Sequence, residues 1–229
     1  MPDKYIYLVI DIGAIIVPFL FSFHPKINFH KQWHAFWPAN LLTTLIFLIW
    51  DAVYTKLGVW GFNDRYIIGY RLLGLPLEEI LFFTCIPYSS IFTYYCFTQF
   101  FPSSLKKLQK PISVTLIIFL AILGVLNITR LYTGVTFIAL ASLIFTFSFF
   151  KKQHWLNTFY LMYLVILLPF FIVNGTLTGT GIDQPIVWYN DDENIGIRIL
   201  TIPIEDIFYG MLLLLLNTAF FERFRTKNA

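Results

Sequence analysis

The chain has 229 residues, of which 58% are hydrophobic and 13% are charged, and its net charge is +3. Soluble domains are typically about 45–50% apolar and about 25% charged, and one soluble domain of this length would leave much apolar surface in water. With a mean hydropathy of +0.71, the composition argues against a soluble enzyme, a nucleic-acid-binding protein or a disulfide-rich secreted scaffold. It predicts an integral membrane protein.

Seven apolar segments are predicted to be transmembrane helices, because a helix needs roughly 20 apolar residues to cross a bilayer. The first is expected to be a span rather than a signal peptide, since its leader is not basic and Asp11 interrupts it. Only Arg130 separates the fourth and fifth segments, which predicts either a tight turn or one long broken helix. In chain order the segments cover residues 5–23, 34–54, 77–98, 112–129, 131–150, 156–174 and 203–221.

The distribution of charges predicts the orientation of the chain. Seven spans place the termini on opposite faces, with ten lysines and arginines on the C-terminal face and six on the N-terminal face. The positive-inside rule then predicts a multi-pass cell-membrane protein with its N-terminus outside and its C-terminus in the cytoplasm. Twelve of the thirteen acidic residues lie towards the N-terminal face. This second asymmetry needs its own cause, because the rule concerns only basic residues.

Two stretches of the chain repeat each other at an offset of 127 residues. Residues 68–80 read IGYRLLGLPLEEI and residues 195–207 read IGIRILTIPIEDI, with seven of thirteen positions identical. Asn63-Asp64 and Asn190-Asp191 match at the same offset. The matches include the rarer arginine, glycine, proline and glutamate, so a chance resemblance between two apolar stretches is a poor explanation.

The repeat predicts the organisation of the chain. One copy precedes the third span and the other precedes the seventh, so both copies lie on one membrane face. We therefore predict an all-α integral membrane fold of seven transmembrane helices, built as two parallel three-helix repeats joined by a linking helix. The single membrane domain, 1–229, then divides into a first half, 1–100, a linking span, 101–130, and a second half, 131–229.

Each copy of the repeat places two adjacent acids after a proline in the first turn of a helix. The structural interpretation is that the helix dipole favours these acids by about 0.3–1 kcal/mol, with Arg71 and Arg198 as ion-pair partners. The functional interpretation is that acids at the lipid boundary mark a site. Adjacent helical residues point about 100° apart, so we expect one acid of each pair to face a cavity while the other meets arginine. The four candidate catalytic acids are Glu78, Glu79, Glu205 and Asp206.

Two further acids, Asp11 and Asp51, lie in apolar context near the same face, and we expect them to support the site. Asn174 occupies a position in the sixth span that loosely matches Asp51 in the second. No metal or cofactor site is expected. No lysine lies inside a predicted span, no dinucleotide-binding glycine pattern follows a strand, and His30 and His34 lie in a basic loop without an acidic partner.

The doubled motif resembles that of the membrane lycopene cyclase family. This family occurs as two heterodimeric subunits in actinobacteria, as one chain in other bacteria and archaea, and as the cyclase half of fungal cyclase/phytoene synthases. Its pattern is Pro-x-Glu-(Glu/Asp), once per half, and the resemblance covers essentially the whole chain. The matching segments are Pro76-Leu77-Glu78-Glu79, Pro203-Ile204-Glu205-Asp206 and, less specifically, Arg130-Leu131-Tyr132-Thr133.

The resemblance implies a cofactor-free isomerisation of a membrane-dissolved, lycopene-like carotenoid. An acid protonates the terminal double bond, the cation closes to a terminal ionone ring, expected to be β, and a base removes a neighbouring proton without net redox change. We expect Glu78 and Glu205 to contribute acid chemistry, and Glu79 and Asp206 to act as bases or orienting groups. The expected partners are the carotenoid, the lipid bilayer and other enzymes of carotenoid synthesis, with no nucleic acid.

Two alternatives remain open on the sequence alone. A related carotenoid hydratase would share part of the motif and add water to the acyclic substrate. A small transporter would share the three-one-three arrangement of parallel repeats. A transporter of polar solutes, however, should carry polar groups at the membrane midplane, whereas this chain fills its span centres with isoleucine, leucine and phenylalanine.

Overall fold

The computed structural model describes residues 2–101 and 106–227 of the chain. Within these residues, seven helices are long and apolar enough to cross a membrane once the short turns beside some of them are included. The predicted all-α, seven-span fold is confirmed. The helices are α1 (Ile6–Phe21), α2 (Trp33–Leu57), α3 (Leu77–Phe100), α4 (Gln109–Leu126), α5 (Leu131–Phe145), α6 (Leu156–Leu177) and α7 (Ile204–Lys227).

The boundary between α4 and α5 is a tight turn, and the alternative of one long broken helix is wrong. Helix α4 ends at Leu126, and the backbone N–H of Arg130 donates to the carbonyl of Asn127 at 3.0 Å. Arg130 itself is extended and precedes the first residue of α5. Beyond Phe145, α5 continues as one π-helical turn, Thr146–Phe150.

The helices pack in a reciprocal pattern. Helix α1 packs on α3 and α5 packs on α7, while α2 packs on α7 and α6 packs on α3. In each three-helix group, α1–α3 and α5–α7, the middle helix therefore packs against the last helix of the other group. This exchange of partners supports two equivalent halves. The division at 1–100, 101–130 and 131–229 remains a proposal.

Three small antiparallel sheets lie between the helices, and none was predicted from the sequence. The strands are β1 (Trp60–Phe62), β2 (Arg71–Leu72), β3 (Leu75–Pro76), β4 (Val187–Tyr189), β5 (Arg198–Ile199) and β6 (Ile202–Pro203). Strand β1 pairs with β4, β2 with β3, and β5 with β6. The β1–β4 ladder joins the two halves, and two outer bonds extend it, from Asn63 N–H to the Ile186 carbonyl and from Asn190 N–H to the Val59 carbonyl, both at 2.9 Å.

The β2–β3 and β5–β6 hairpins hold the two copies of the repeat in the same conformation. Arg71 pairs with Pro76 across the first hairpin, and Arg198 pairs with Pro203 across the second. The turn residues Leu73 and Leu200 are both left-handed, with φ of 54° and 58°. Each hairpin leads directly into a helix, α3 or α7, so it fixes where the acidic first turn of that helix begins.

Candidate active site

A cavity of about 350 Å³ lies inside the bundle and is lined mainly by apolar side chains. Every described helix except α4 contributes to its wall, and so do β1 and β4. Along α3 the lining runs from Glu79 to Thr93, and along α6 from Tyr163 to Leu177. At 1.5 Å per helical residue, each of these walls is about 21 Å long. The cavity is therefore a long slot parallel to the helices.

The charged groups of the cavity lie at one end of this slot. Asp51, Glu79 and Asp206 line it, and each is less than a tenth exposed. Asp51 is near the end of α2, whereas Glu79 and Asp206 are in the first turns of α3 and α7. The two-stranded ladder of β1 and β4 lines the same end. One end of the slot is thus acidic and aromatic, and the rest is hydrocarbon-like.

One acid from each motif faces the cavity and accepts a tyrosine hydroxyl. Tyr7, at the start of α1, donates to Glu79. Tyr132, at the start of α5, donates to Asp206 at 2.5 Å. Asp206 accepts two more bonds, from the Asn174 amide at 2.7 Å and the Tyr189 hydroxyl at 2.9 Å. The two motif acids that line the cavity therefore have parallel tyrosine partners but unequal numbers of hydrogen-bond donors.

Tyr189 is the one of these tyrosines that lies outside the membrane-spanning segments, on β4. Burial raises the pKa of its hydroxyl well above 10, and the neighbouring Asp206 carboxylate raises it further. The hydroxyl therefore keeps its proton at physiological pH and remains a donor to Asp206. Its ring also stacks on that of Tyr132, with centroids 5.8 Å apart and planes 10° apart.

The other acid of each motif is fully buried and binds the loop that precedes its own helix. Glu78 accepts the backbone N–H of Ile68 at 2.7 Å, and Glu205 accepts that of Ile195 at 2.8 Å. Thr133 adds a hydroxyl to Glu205 at 2.6 Å. Neither of these two acids lines the cavity. The expectation that one acid of each pair faces a cavity fits this geometry, but the cavity acids are Glu79 and Asp206.

The prediction that the motif arginines form ion pairs with the motif acids is wrong. Arg71 instead binds Asp64, and Arg198 binds Asp191, both at 2.6 Å. Each guanidinium also closes its own hairpin turn by donating to a backbone carbonyl at its tip. The hairpin points the arginine outward, away from the first helical turn, so the arginines stabilise the loops, and among the described residues no lysine or arginine forms an ion pair with a motif acid.

The two supporting acids differ in their surroundings. Asp51 lines the cavity, and its Oδ1 accepts the indole N–H of Trp60 on β1 at 2.5 Å. Asp11 is fully buried on α1, which packs against α3, and it does not line the cavity. Neither oxygen of Asp11 has a hydrogen-bond partner among the described residues.

Sequence reasoning missed most of the hydrogen-bond donors of the site. Tyr132 and Thr133 belong to the Arg130–Thr133 segment quoted for the family resemblance, and they bind the two acids of the second motif. Asn174 was noted only as a loose match to Asp51. Tyr7 and Tyr189 carried no signal in a chain with 20% aromatic residues. The 127-residue offset does not reveal the paired tyrosines either, because it aligns Tyr132 with Tyr5 and Tyr7 with Gly134.

Comparison with known proteins identifies the family. The family model described as lycopene cyclase matches residues 4–97 and again residues 129–224. The chain belongs to the lycopene cyclase family. The predicted family is therefore confirmed, and the two matched stretches contain both copies of the acidic motif and both cavity tyrosines on α1 and α5.

A curated relative gives a second, local match. Over 52 residues the chain is 40% identical to the bifunctional lycopene cyclase/phytoene synthase of Neurospora crassa. The aligned stretch covers 23% of this chain and 9% of that protein, so the chain spans only a small part of its relative's length. No solved structure shows a significant match to this chain.

Proposed function

We propose that this lycopene cyclase family protein closes a terminal ring on an acyclic, lycopene-like carotenoid. The observation that carries the proposal is the slot in which Glu79 and Asp206 lie together at one end of a mainly apolar cavity. Pockets for small molecules are typically apolar with a few placed polar groups. Here the apolar wall suits a polyene end, and a membrane-dissolved hydrocarbon reaches it without leaving the bilayer.

The shape of the cavity favours a rod-like substrate inserted end first. Its lined length of about 21 Å along α3 holds the terminal part of a long polyene, and its acids lie only at one end. A substrate so inserted presents its terminal double bond to the carboxyl groups. The remainder of the polyene lies against a mainly apolar wall that includes Ile86, Ile166 and Leu213.

The unequal hydrogen bonding of the two cavity acids divides their roles. Hydrogen bonds to a carboxylate favour its charged form. Asp206 accepts three such bonds and is assigned as the base. Glu79 accepts one, from Tyr7, and is assigned as the acid that protonates the terminal double bond. The donors lie on α1, α5, α6 and β4, so both acids are oriented by elements other than their own helices.

The cation formed on protonation needs an electron-rich surrounding from which mobile bulk water is excluded. Trp60 and Tyr132 line the acidic end, and their ring centroids lie 5.1 Å apart. Aromatic faces attract cations, by about 0.5–2 kcal/mol each. The ladder of β1 and β4 lies across this end, which limits the access of water that would otherwise quench the cation.

Pigment analysis tests the proposal. The gene is expressed in bacteria that accumulate lycopene, and membranes are checked for the protein. We expect carotenoids of unchanged mass carrying one or two β rings. Glu79→Gln and Asp206→Asn should each lower ring formation by about 10²–10⁴-fold, the usual contribution of a general acid or base. Unchanged lycopene beside verified membrane protein would overturn the proposal.

The alternatives give different products in the same assay. A hydratase adds water, so its product is heavier by one water molecule and remains acyclic. A transporter leaves the pigment unchanged, and uptake of a polar solute into proteoliposomes would then support it. Formation of ε rings would still support cyclase activity, but it would mean that the base removes a different proton.

A further inference from the structure

Ring closure leaves the number of protons in the substrate unchanged. It does change the protonation state of the two catalytic carboxyl groups. The acid transfers its proton to one carbon of the terminal double bond, and the base removes a proton from another carbon, so the product is an isomer. After one turnover the acid is ionised and the base is protonated. This inference rests on the proposed function, in which Glu79 is the acid and Asp206 is the base. A proton must then travel from Asp206 to Glu79 before the next turnover.

Two buried polar atoms in the cavity have no partner among the described residues. They are the Oδ2 of Asp51 and the hydroxyl of Tyr209. Both residues line the cavity, and Asp51 is 2% exposed. Buried polar groups are almost always hydrogen-bonded to protein or to ordered water. Two such atoms in one cavity indicate a place for water molecules that bridge them.

The Tyr209 ring lies between the hydrogen-bond partners of Asp51 and those of Asp206. On one side its ring contacts Trp60, the residue that donates to Asp51, with centroids 5.8 Å apart. On the other side it contacts Tyr132, the residue that donates to Asp206, at 6.0 Å. The Tyr209 ring therefore spans the space between the α2 carboxyl and the α7 carboxyl.

The hydroxyl group of Tyr209 has no counterpart in the first half of the molecule. At the 127-residue offset, the counterpart of Tyr209 is Phe82, which also lines the cavity but has no polar atom. The two positions fill equivalent parts of the wall, so packing alone does not account for a hydroxyl at one of them. A single hydroxyl suits a function that is itself directional, such as movement of a proton from one acid to the other.

We propose that Asp51 and Tyr209, with bridging water, form a relay that returns the proton from Asp206 to Glu79 after each ring closure. Asp206 gives its proton through Tyr132 and water to Tyr209, which passes its own hydroxyl proton on towards Asp51. Asp51 transfers a proton to Glu79, the third acid of the same cavity end. No bond other than O–H forms or breaks, and both carboxyl groups regain their starting states.

The test separates the first turnover from the following ones. Purified wild-type protein and the variants Asp51→Asn and Tyr209→Phe are mixed with lycopene, first with enzyme in excess and then with substrate in excess. Tyr54→Phe is the matched control, because it removes a hydroxyl near the same end of α2 that donates to the Leu131 carbonyl and does not line the cavity. Product rings are counted by chromatography, in H₂O and in D₂O.

We expect both relay variants to complete the first ring closure within about threefold of the wild-type rate, while their multiple-turnover rate falls by about tenfold or more. The solvent isotope effect should increase in the multiple-turnover phase alone, and the control should change neither phase. Equal losses in both phases would overturn the relay, because a packing defect acts on every turnover. An unchanged multiple-turnover rate in both variants would also overturn the relay, because bulk water would then restore the protonation states of Glu79 and Asp206. A wild-type protein that forms no ring at all refutes the proposed function instead, and Glu79→Gln should already lose the first turnover.

Discussion

Gly61 and Trp188 face each other at the centre of the ladder that joins the two halves of the protein. They are 127 residues apart, which is the interval between the two copies of the acidic motif. A side chain at residue 61 would overlap the indole of Trp188. The small residue in one half therefore makes room for the large residue in the other, and the ladder places Trp60 and Tyr189 over the cavity acids.

We expect Gly61→Val to lower the unfolding free energy by about 1–3 kcal/mol, the usual cost of overpacking. It should also lower ring formation, because the displaced ladder carries the donors to Asp51 and Asp206. Thermal unfolding in detergent and pigment yield measure the two effects. The double variant Gly61→Val with Trp188→Ala should recover part of both. A Gly61→Val protein as stable and active as the wild type would contradict the close packing.

The four motif acids should separate into two classes of variant. Glu78→Gln and Glu205→Gln are expected to lower stability by about 1–3 kcal/mol, because each replaces the carboxyl group that accepts a partly buried backbone N–H by an amide. Glu79→Gln and Asp206→Asn should lower ring formation per folded molecule by about 10²–10⁴-fold, a loss far larger than any change in their melting temperature accounts for. Melting temperature and activity, measured on the same purified samples, check this division. Inactive but fully stable Glu78 and Glu205 variants would reverse it.

The left-handed turn residues of the hairpins predict a stabilising substitution. A side chain in this conformation costs roughly 1–2 kcal/mol, and glycine avoids the cost at an entropic penalty of about 0.5–1 kcal/mol. Leu73→Gly and Leu200→Gly should therefore raise the unfolding free energy by up to about 1 kcal/mol. Leu72→Gly, in strand β2, is the matched control and should be neutral or destabilising. A drop in melting temperature for both turn variants would refute the expectation.

The Asp191 carboxyl predicts a pH-dependent contribution to stability. The hydrogen bond from Asn194 lowers its pKa below the usual 3.8, and the guanidinium of Arg198 lowers it further. A carboxyl whose folded pKa is lowered stabilises the protein above its unfolded pKa, and the effect disappears as the pH falls through the folded value. The melting temperatures of wild type and Asp191→Asn should therefore differ at pH 6 and converge as the pH falls below the ordinary carboxyl range. Asp192→Asn is the neighbouring control, because Arg198 binds Asp191.

The orientation of the chain is open to a direct measurement. The positive-inside rule predicts that the loops carrying the acidic motifs face outward and that the C-terminus is cytoplasmic. In a cysteine-free background, a cysteine at position 192 should react with a membrane-impermeant maleimide in intact cells. A cysteine at position 151, on the opposite face, should react only after the cells are opened. The reverse pattern would invert the topology.

Much of the fold followed from local properties of the sequence. The seven apolar segments predicted seven spans within a few residues, because a helix that crosses lipid must satisfy its own backbone groups and needs about 20 apolar residues. The repeat located both acidic motifs. Composition did not reveal the strands, since β2, β3, β5 and β6 have two residues each and form only through their partner strands.

The sequence by itself determined the membrane environment, the number of spans, the family and the four acids of the doubled motif. Only the tertiary structure decided which acid of each pair faces the cavity, and that the arginines bind Asp64 and Asp191 rather than the motif acids. Hydrophobic length and repeated motifs are properties of neighbouring residues, whereas the partners of a carboxyl group come from other helices. Tyr7 and Glu79, 72 positions apart, meet because α1 packs on α3, and Tyr132 and Asp206 meet because α5 packs on α7.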